Sequence, residues 1–381
     1  MKTLQVEIKR PSDLESAATK LADLRPHVIL AFGAASFFET PEFLKQLGSS
    51  LPGTLVFGCS TAGEISTKGV QDNSLVLTGL KFEKPDTRIT AHSAPIQGMS
   101  ASFDAGKDLA SKIDPHQLKS VMVLGRGLDI NGSGLIEGMR ASLGPSVILT
   151  GGLAGDGGAF KRTFTICGGE VASDRVTALA FYGSSFSCSF GSFGGWEPFG
   201  PIRKVTRSEN NIMYELDGEP ALAVYKKYLG DLAAKLPASG LMYPFALLKG
   251  NQDSSGIIRT ILGIDEQAGS LTFAGDIPNQ GFVRLMHSKN EGLVQGAGVA
   301  ATAAWTASKV KGDGLGILIS CVGRKIVMGD DIEEEIDAVR DVFGTACITG
   351  FYSYGEICPT GFSECKLHNQ TMTITHLGEL M

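Results

Sequence analysis

Three stretches of this chain carry the same order of features, and a chain that repeats a strand-helix-strand unit is committed to layered sheets and helices. In the first copy, residues 28–35 (VILAFGAA) read as a buried strand closed by Gly33. Thr40, Pro41 and Glu42 then supply a helix cap, a first-turn proline and an acidic first turn, and Phe43, Leu44 and Leu47 continue the helix to Pro52-Gly53. A second apolar strand ends in FGCSTAGE, residues 57–64. The second copy runs from VMVLG at Val121, through a cap at Asn131 and apolar Leu135, Ile136, Met139 and Leu143, to VILTGGLAGD, residues 147–156. The third runs from GILISCVGR, residues 316–324, through a helix opened by Asp330 and Asp331 with Ile332, Ile336, Val339 and Phe343 on one face, to CITGFYSYGE, residues 347–356.

Each second strand ends in glycine followed by an acid: Gly63-Glu64, Gly155-Asp156 and Gly355-Glu356. Ligands of α/β sheets collect outside the carboxyl ends of strands, and glycine there lets the backbone turn sharply or approach a guest closely. The expectation is that the three tips surround one shared cavity; the alternative is a glycine turn whose acid caps nearby amides. Strand-like stretches lie between the units, at 74–82, 87–94, 161–167, 176–182, 186–193, 257–264 and 282–287, and read as hairpins. The fold class is therefore mixed α/β (α+β), with mixed, largely antiparallel sheets covered by helices. A length of 381 residues suits two domains, divided near Asp217-Gly218 into 1–217 and 218–381. A long alanine- and glycine-rich helix is expected over 291–309.

A formal charge of −6 without any basic, aromatic-laced stretch argues against nucleic acid. The first residues lack the apolar core of a signal peptide, and no apolar run is long enough to span a bilayer, so the expected location is the cytoplasm, with no membrane insertion. Seven cysteines spread over such a chain read as thiols rather than a disulfide framework. The glycine-rich residues 151–158 do not make a phosphate loop, because KRTFTIC after them reads as a strand and not as a helix start.

The motifs FGCSTAGEIS, GGLAGDGG, ISCVGR and GFYSYGEICP, in this order, resemble those of FIST domains, N-terminal and C-terminal halves together, over nearly the whole chain. The resemblance implies a bacterial sensory module that binds a small ligand and takes part in signal transduction, here as a stand-alone sensor acting in trans on a histidine kinase of a two-component system or a cyclic-di-GMP enzyme, with homo-oligomerisation open. It also implies two ligand classes, amino acids or other small metabolites, and haem with nitric oxide as in the sensors of similar length.

A neutral imidazole is the usual axial group of a haem gas sensor. His27, His92, His116 and His376 read as edge or terminal residues, which leaves His287, at the end of an apolar strand, and His368, in a C-terminal strand, as candidates. Arg324 and Arg259 are candidates to pair with a ligand carboxylate, with Tyr352 and Tyr354 as a polar aromatic wall and Glu64 and Glu356 as the tip acids. The structural alternative for the arginines is an internal salt bridge to Glu64 or Glu356. Cys358, Cys365 and His368, spaced C-x6-C-x2-H, form a weak metal pattern to which Cys347 could add a fourth ligand. Cys59 and Cys321, at strand ends, carry the rival reading of a thiol-dependent hydrolase or transferase, although binding without catalysis is the leading expectation.

Overall fold

Each of the three expected strand pairs is parallel and sits in the middle of its own six-stranded sheet. The computed structural model describes residues 1–39, 42–250, 253–310, 314–361 and 364–380, so the Thr40-Pro41 helix start falls outside the described residues. The first sheet orders its strands as Lys2–Ile8, Leu75–Lys81, Val28–Gly33, Leu55–Ser60, Thr165–Cys167 and Glu170–Ala172. The second runs Arg88–Pro95, Arg175–Tyr182, Leu118–Gly125, Ile148–Leu153, Gly355–Pro359 and Cys365–His368. The third runs Phe186–Phe193, Met372–Glu379, Leu315–Cys321, Cys347–Ser353, Glu64–Ser66 and Gly69–Gln71.

These three orders are the same order, and the last two strands of each sheet come from a different repeat. The hairpin that follows the first tip completes the third sheet, the one after the second tip completes the first, and the one after the third tip completes the second. The result is a pseudo-threefold body in which every repeat lends a hairpin and borrows one. Each repeat also contains an edge strand and a helix ahead of its parallel pair: Leu14–Ala22, Ser102–Ser111 and Asn290–Ala307 pack beside Glu42–Ser50, Gly132–Leu143 and Ile332–Phe343 on the outer sheet faces.

Both faces of the parallel strands are buried, which explains their unbroken apolar runs. Val28, Leu30 and Phe32 join Met122, Leu124, Leu315, Ile317 and Ile319 in one core at the centre of the body, while Ile29, Val121, Val123 and Leu318 face the outer helices. Gly58, Gly151 and Gly350 hold equivalent places in the second strands. A Cβ on any of them would stand 1.8 Å from a carbonyl oxygen of the partner strand, at Ala31, Val123 or Leu318. The long small-residue helix uses its composition in the same way, since Gly191 lies directly against the Ala300 carbonyl.

Between the edge strand and the helix of the third repeat the chain leaves the body and builds an eight-stranded antiparallel sheet, from Glu197–Glu209 to Phe282–His287, with its own core around Tyr225, Phe245 and Phe273. Asp217 and Gly218, the expected division, form the turn between Ile212–Leu216 and Glu219–Pro220 inside this sheet. Strand pairing meanwhile crosses from one half of the chain to the other, as in Glu64–Ser66 on Cys347–Ser353. His376 does not sit in a loose terminus: it is buried in the strand Met372–Glu379, with Nδ1 bonded to Ser308 at 2.8 Å. No described helix is long and apolar enough to cross a membrane.

Gly350→Ala is expected to cost more than the about 1–3 kcal/mol usual for overpacking, because the obstacle is backbone. Gly48→Ala, in an open helix position with nothing within 4 Å of the added carbon, should gain about 0.5–1 kcal/mol. Urea unfolding of the two variants tests whether the glycines at the three strand crossings are steric requirements.

Candidate ligand-binding cavity

The three tips do meet, but they close on one another. The Ala62 amide donates to the Tyr352 carbonyl at 2.8 Å, the Tyr352 amide to the Gly63 carbonyl at 2.8 Å, and the Gly155 amide to the Ser60 carbonyl at 2.9 Å. Each acid turns inward to hold its own tip. Glu64 accepts from the Thr61 hydroxyl at 2.5 Å and from the Ser74 amide and hydroxyl at 3.0 and 2.7 Å. Glu356 accepts from the Ser353 hydroxyl at 2.6 Å and the Thr371 amide at 3.3 Å, and burial pushes its carboxyl above the ordinary range. Asp156 accepts from the amides of Phe160, Lys161 and Arg162 at 2.8, 2.6 and 2.8 Å and from the Tyr354 hydroxyl. The amide nest of the glycine-rich loop is thus filled by the chain's own carboxylate.

The open space lies to one side, in a cavity of about 870 Å³ between the body and the inserted sheet. It sits outside the carboxyl ends of two parallel strands, Leu118–Gly125 and Leu315–Cys321, the position expected of a ligand in an α/β sheet. One wall is the 127–132 loop, the second is 321–323 with Ile326 and Tyr354, and the inserted sheet supplies 236–238, 260–262 and 273–276. Asn131 ties two walls together. Its Oδ1 accepts from the Gly134 amide at 3.0 Å as a helix cap, while Nδ2 donates to Asp276 at 3.3 and 3.4 Å. Phe160, held at a φ of 53° by the Asp156 nest, stacks on Tyr354 at 4.3 Å and lines the mouth.

Of the expected site residues, Tyr354 lines this cavity and Cys321 does too. The others are placed elsewhere. Arg324 is fully buried on the short helix Val322–Met328, and its partner is Glu335 (2.8 and 3.0 Å) rather than Glu64 or Glu356. The same guanidinium donates to the carbonyls of Gly194, Leu293 and Gln370 at 2.5, 2.8 and 3.5 Å. Glu335 also accepts from the Tyr352 hydroxyl at 2.9 Å and Ser320 at 3.0 Å, which removes Tyr352 from any ligand wall. Arg259 is buried with bonds to the carbonyls of Asp276, Ile258 and Leu367 at 3.0, 3.2 and 3.0 Å; burial lowers its pKa to about 10.

Neither histidine offered for haem reaches the cavity. His368 is buried with Nε2 bonded to the Cys358 carbonyl at 3.0 Å, and His287 lies half-buried at the end of the interior strand Phe282–His287 of the inserted sheet, its ring 5.4 Å from Phe199. Cys358 and Cys365 point at different carbonyls, Gly191 and Leu149, while Cys347 lies by Thr67, so the C-x6-C-x2-H pattern does not converge. Among the described residues no three His, Cys, Asp or Glu side chains group as a metal site. Burial raises the Cys59 thiol and the Cys321 thiol well above the ordinary value; Cys321 shares a hydrogen bond with Glu356.

The residues that sequence reasoning missed are those of the inserted sheet, Thr260, Ile261, Leu262, Phe273 and Asp276, together with Leu128 and Phe160. Only Asn131 carried a signal, as a helix cap.

Arg324→Leu should destabilise the protein by about 3–5 kcal/mol, because it leaves the Glu335 carboxylate buried without its cation. Denaturant unfolding would measure that, whereas a ligand-binding arginine would leave unliganded stability nearly untouched. His368 sets a pH dependence. Burial lowers its pKa from 6.5 to about 4, so the unfolded chain takes up a proton that the folded one refuses. Its contribution is fully present above pH 6.5 and is lost as the pH falls toward about 4, a loss of about 3 kcal/mol. In His368→Gln the slope of unfolding free energy across that window should flatten.

Comparison with known proteins agrees with the motifs. The profile of the FIST N domain matches residues 27–219, and that of the FIST C domain matches residues 221–359. An uncharacterised protein of Methanocaldococcus jannaschii is 37% identical over 95 residues, a match that spans 24% of this chain and 18% of that protein. Cyanuric acid hydrolase from A. caulinodans overlays the whole chain and 99% of its own with a TM-score of 0.40 and 8% identity. A second cyanuric acid hydrolase structure, covering 99% of each chain, gives 0.34 and 8%. Similarity that loose carries no argument about this protein.

Proposed function

This chain belongs to the FIST family, whose domains are small-ligand sensor domains, and from that premise we propose that it senses a small molecule held in the 870 Å³ cavity between body and inserted sheet. The observation that carries the reading is the position of this cavity. Its walls come from two separately cored parts of the chain, joined across it by few polar ties, so a ligand touching both can favour one arrangement over another. The changed surface then acts on a separate signalling protein, a histidine kinase or a cyclic-di-GMP enzyme.

Between the two ligand classes, an organic metabolite is favoured over haem with nitric oxide. The cavity has no histidine among its described lining residues, and His287 and His368 are both engaged away from it. The residues present do not fit haem through either imidazole. A thiol enzyme is the second reading, supported by the place of Cys321 on the cavity wall beside Glu356. Against it stands the raised pKa of the buried thiol, which leaves little thiolate to act as a nucleophile at neutral pH.

A metabolite panel read by thermal shift should contain a compound that stabilises the protein by about 2.7 kcal/mol at a hundredfold excess over its Kd. That gain should vanish in Ala274→Trp, which fills the inserted-sheet wall. A ligand whose effect survives the wall variant sits elsewhere and sinks the reading. Added haem should give no protein-bound Soret band dependent on His287 or His368; such a band would restore the haem reading. Single-site alkylation of Cys321 by iodoacetamide at pH 7, fast enough to compete with free thiol, would restore the enzyme.

A further inference from the structure

The chemical character of the guest can be read from what surrounds it, on the premise that the cavity is the ligand site. Three charged residues line it, Asp129, Lys235 and Asp276. None supplies a buried, unspent charge. Asp129 is exposed, with Arg126 at 3.9 Å, and Lys235 lies exposed on a 3-10 turn. Asp276 already accepts from Asn131, and its backbone carbonyl caps the buried Arg259 guanidinium, whose positive charge lies behind it. Neither buried arginine nearest the site lines the cavity: Arg324 donates to Glu335 and to main-chain carbonyls, and Arg259 donates to the carbonyls of Asp276, Ile258 and Leu367. A ligand carboxylate, sulfonate or phosphate would enter with its charge desolvated and only the exposed Lys235 as a lining cation, which opposes binding unless the charged group stays in water. A zwitterion would find its two signs of charge only at the exposed Asp129 and Lys235 and at Asp276, which already accepts from Asn131.

The apolar side points the other way. Nine large apolar side chains are exposed on the described surface, and five of them, Met99, Phe103, Phe160, Leu262 and Ile326, line this one cavity. They arrive from four separate segments of the chain, so their gathering is not an accident of one greasy helix. Phe160 is also kept in a left-handed backbone conformation that a bulky residue rarely adopts. Deeper in, Phe273, Ile261 and Leu153 are buried and continue the same surface. An exposed apolar ring around a concave space is a costly arrangement in water unless something covers it.

We propose that the cavity takes an uncharged, predominantly apolar, ring-containing molecule, and that it rejects amino acids and carboxylated ligands. N-phenyl-1-naphthylamine and 1-anilinonaphthalene-8-sulfonate test this, since they share one ring skeleton and differ by a sulfonate. The neutral probe should bind with enhanced fluorescence, and the sulfonate should bind at least about tenfold more weakly. Neutral-probe binding should be lost in both Ala274→Trp and the exposed-wall variant Ala238→Trp, each checked for folding by its melting curve. Phenylalanine and leucine should not displace it. Equal binding of the two probes, sensitive to the wall variants, or displacement by either amino acid, would overturn the ligand class while leaving the cavity as the ligand site. If neither probe shows binding that the wall variants abolish, the cavity reading itself fails.

Discussion

No repeat of this protein can finish its own sheet, and most of the structure follows from that. The strands Leu55–Ser60, Ile148–Leu153 and Cys347–Ser353 each have a free hydrogen-bonding edge on the side away from their parallel partner, and in each case it is covered by a hairpin from another repeat. An exposed edge of this kind invites wrong pairing, so the exchange closes three such edges at once. The repeats are therefore bound by main-chain hydrogen bonds as well as by the central apolar core. It also explains the recurring glycine and acid. The chain leaves one sheet for the next at each tip; at the first, Gly63 turns at a φ of 137°, at the second, Gly155 lies against the Ala62 backbone, and the acids fasten the tips by accepting from nearby hydroxyls and amides. The three carboxylates hold the crossovers rather than a guest.

The buried charges follow the same logic. Arg324 uses its donors on Glu335 and on carbonyls from three segments, at Gly194, Leu293 and Gln370. A pair so enclosed contributes little net stability relative to apolar packing, but it penalises any arrangement that separates its members. Gly194 opens the path into the inserted sheet and Leu293 lies on the helix that follows it, so this single guanidinium fixes both ends of the insertion onto the third repeat. Arg259 does the complementary work from inside the insertion, reaching the Leu367 carbonyl on the hairpin of the body. Both arginines join parts of the chain, and neither lines the cavity between those parts.

The threefold recurrence, the strand positions and the outer helices were legible in the sequence because local patterns encode them: buried parallel strands read as short apolar runs, and caps such as Asn131 mark helix starts. Hairpin exchange was not legible, since no local pattern says which sheet a hairpin will join. For the same reason the tip acids looked like ligand groups, and Arg324 was matched with Glu64 or Glu356 when its partner, Glu335, sits in the first turn of a helix beside Glu333 and Glu334, where it reads as part of a solvated acidic run. The cavity itself was hidden because most of its walls come from loops and from the insertion, whose strands looked like ordinary hairpins. Tyr354 was singled out for its place between glycines, and its neighbour across the mouth, Phe160, was passed over because it follows the glycine-rich stretch as one loop residue.

The insertion also explains why this seam of the threefold body holds a cavity. Three equivalent seams are generated by the exchange, but only the third repeat carries the segment Glu197–His287, and it folds over the ends of the strands Leu118–Gly125 and Leu315–Cys321. Contact between insertion and body runs through a small set of polar ties: Asn131 with Asp276, Arg259 with the Leu367 carbonyl, Gln370 with the Leu241 carbonyl at 3.0 Å, and Trp196 with the Gln370 carbonyl at 2.8 Å. Two of these meet at Gln370, which also lies against Gly323 on the cavity wall and under the Arg324 guanidinium. A guest that presses on Gly323 or on Leu241 therefore presses on the residue that joins insertion to body. The body is held by main-chain pairing of three exchanged hairpins, whereas the insertion is held to it by side-chain ties, so on the sensor reading proposed above this joint is where a guest would act.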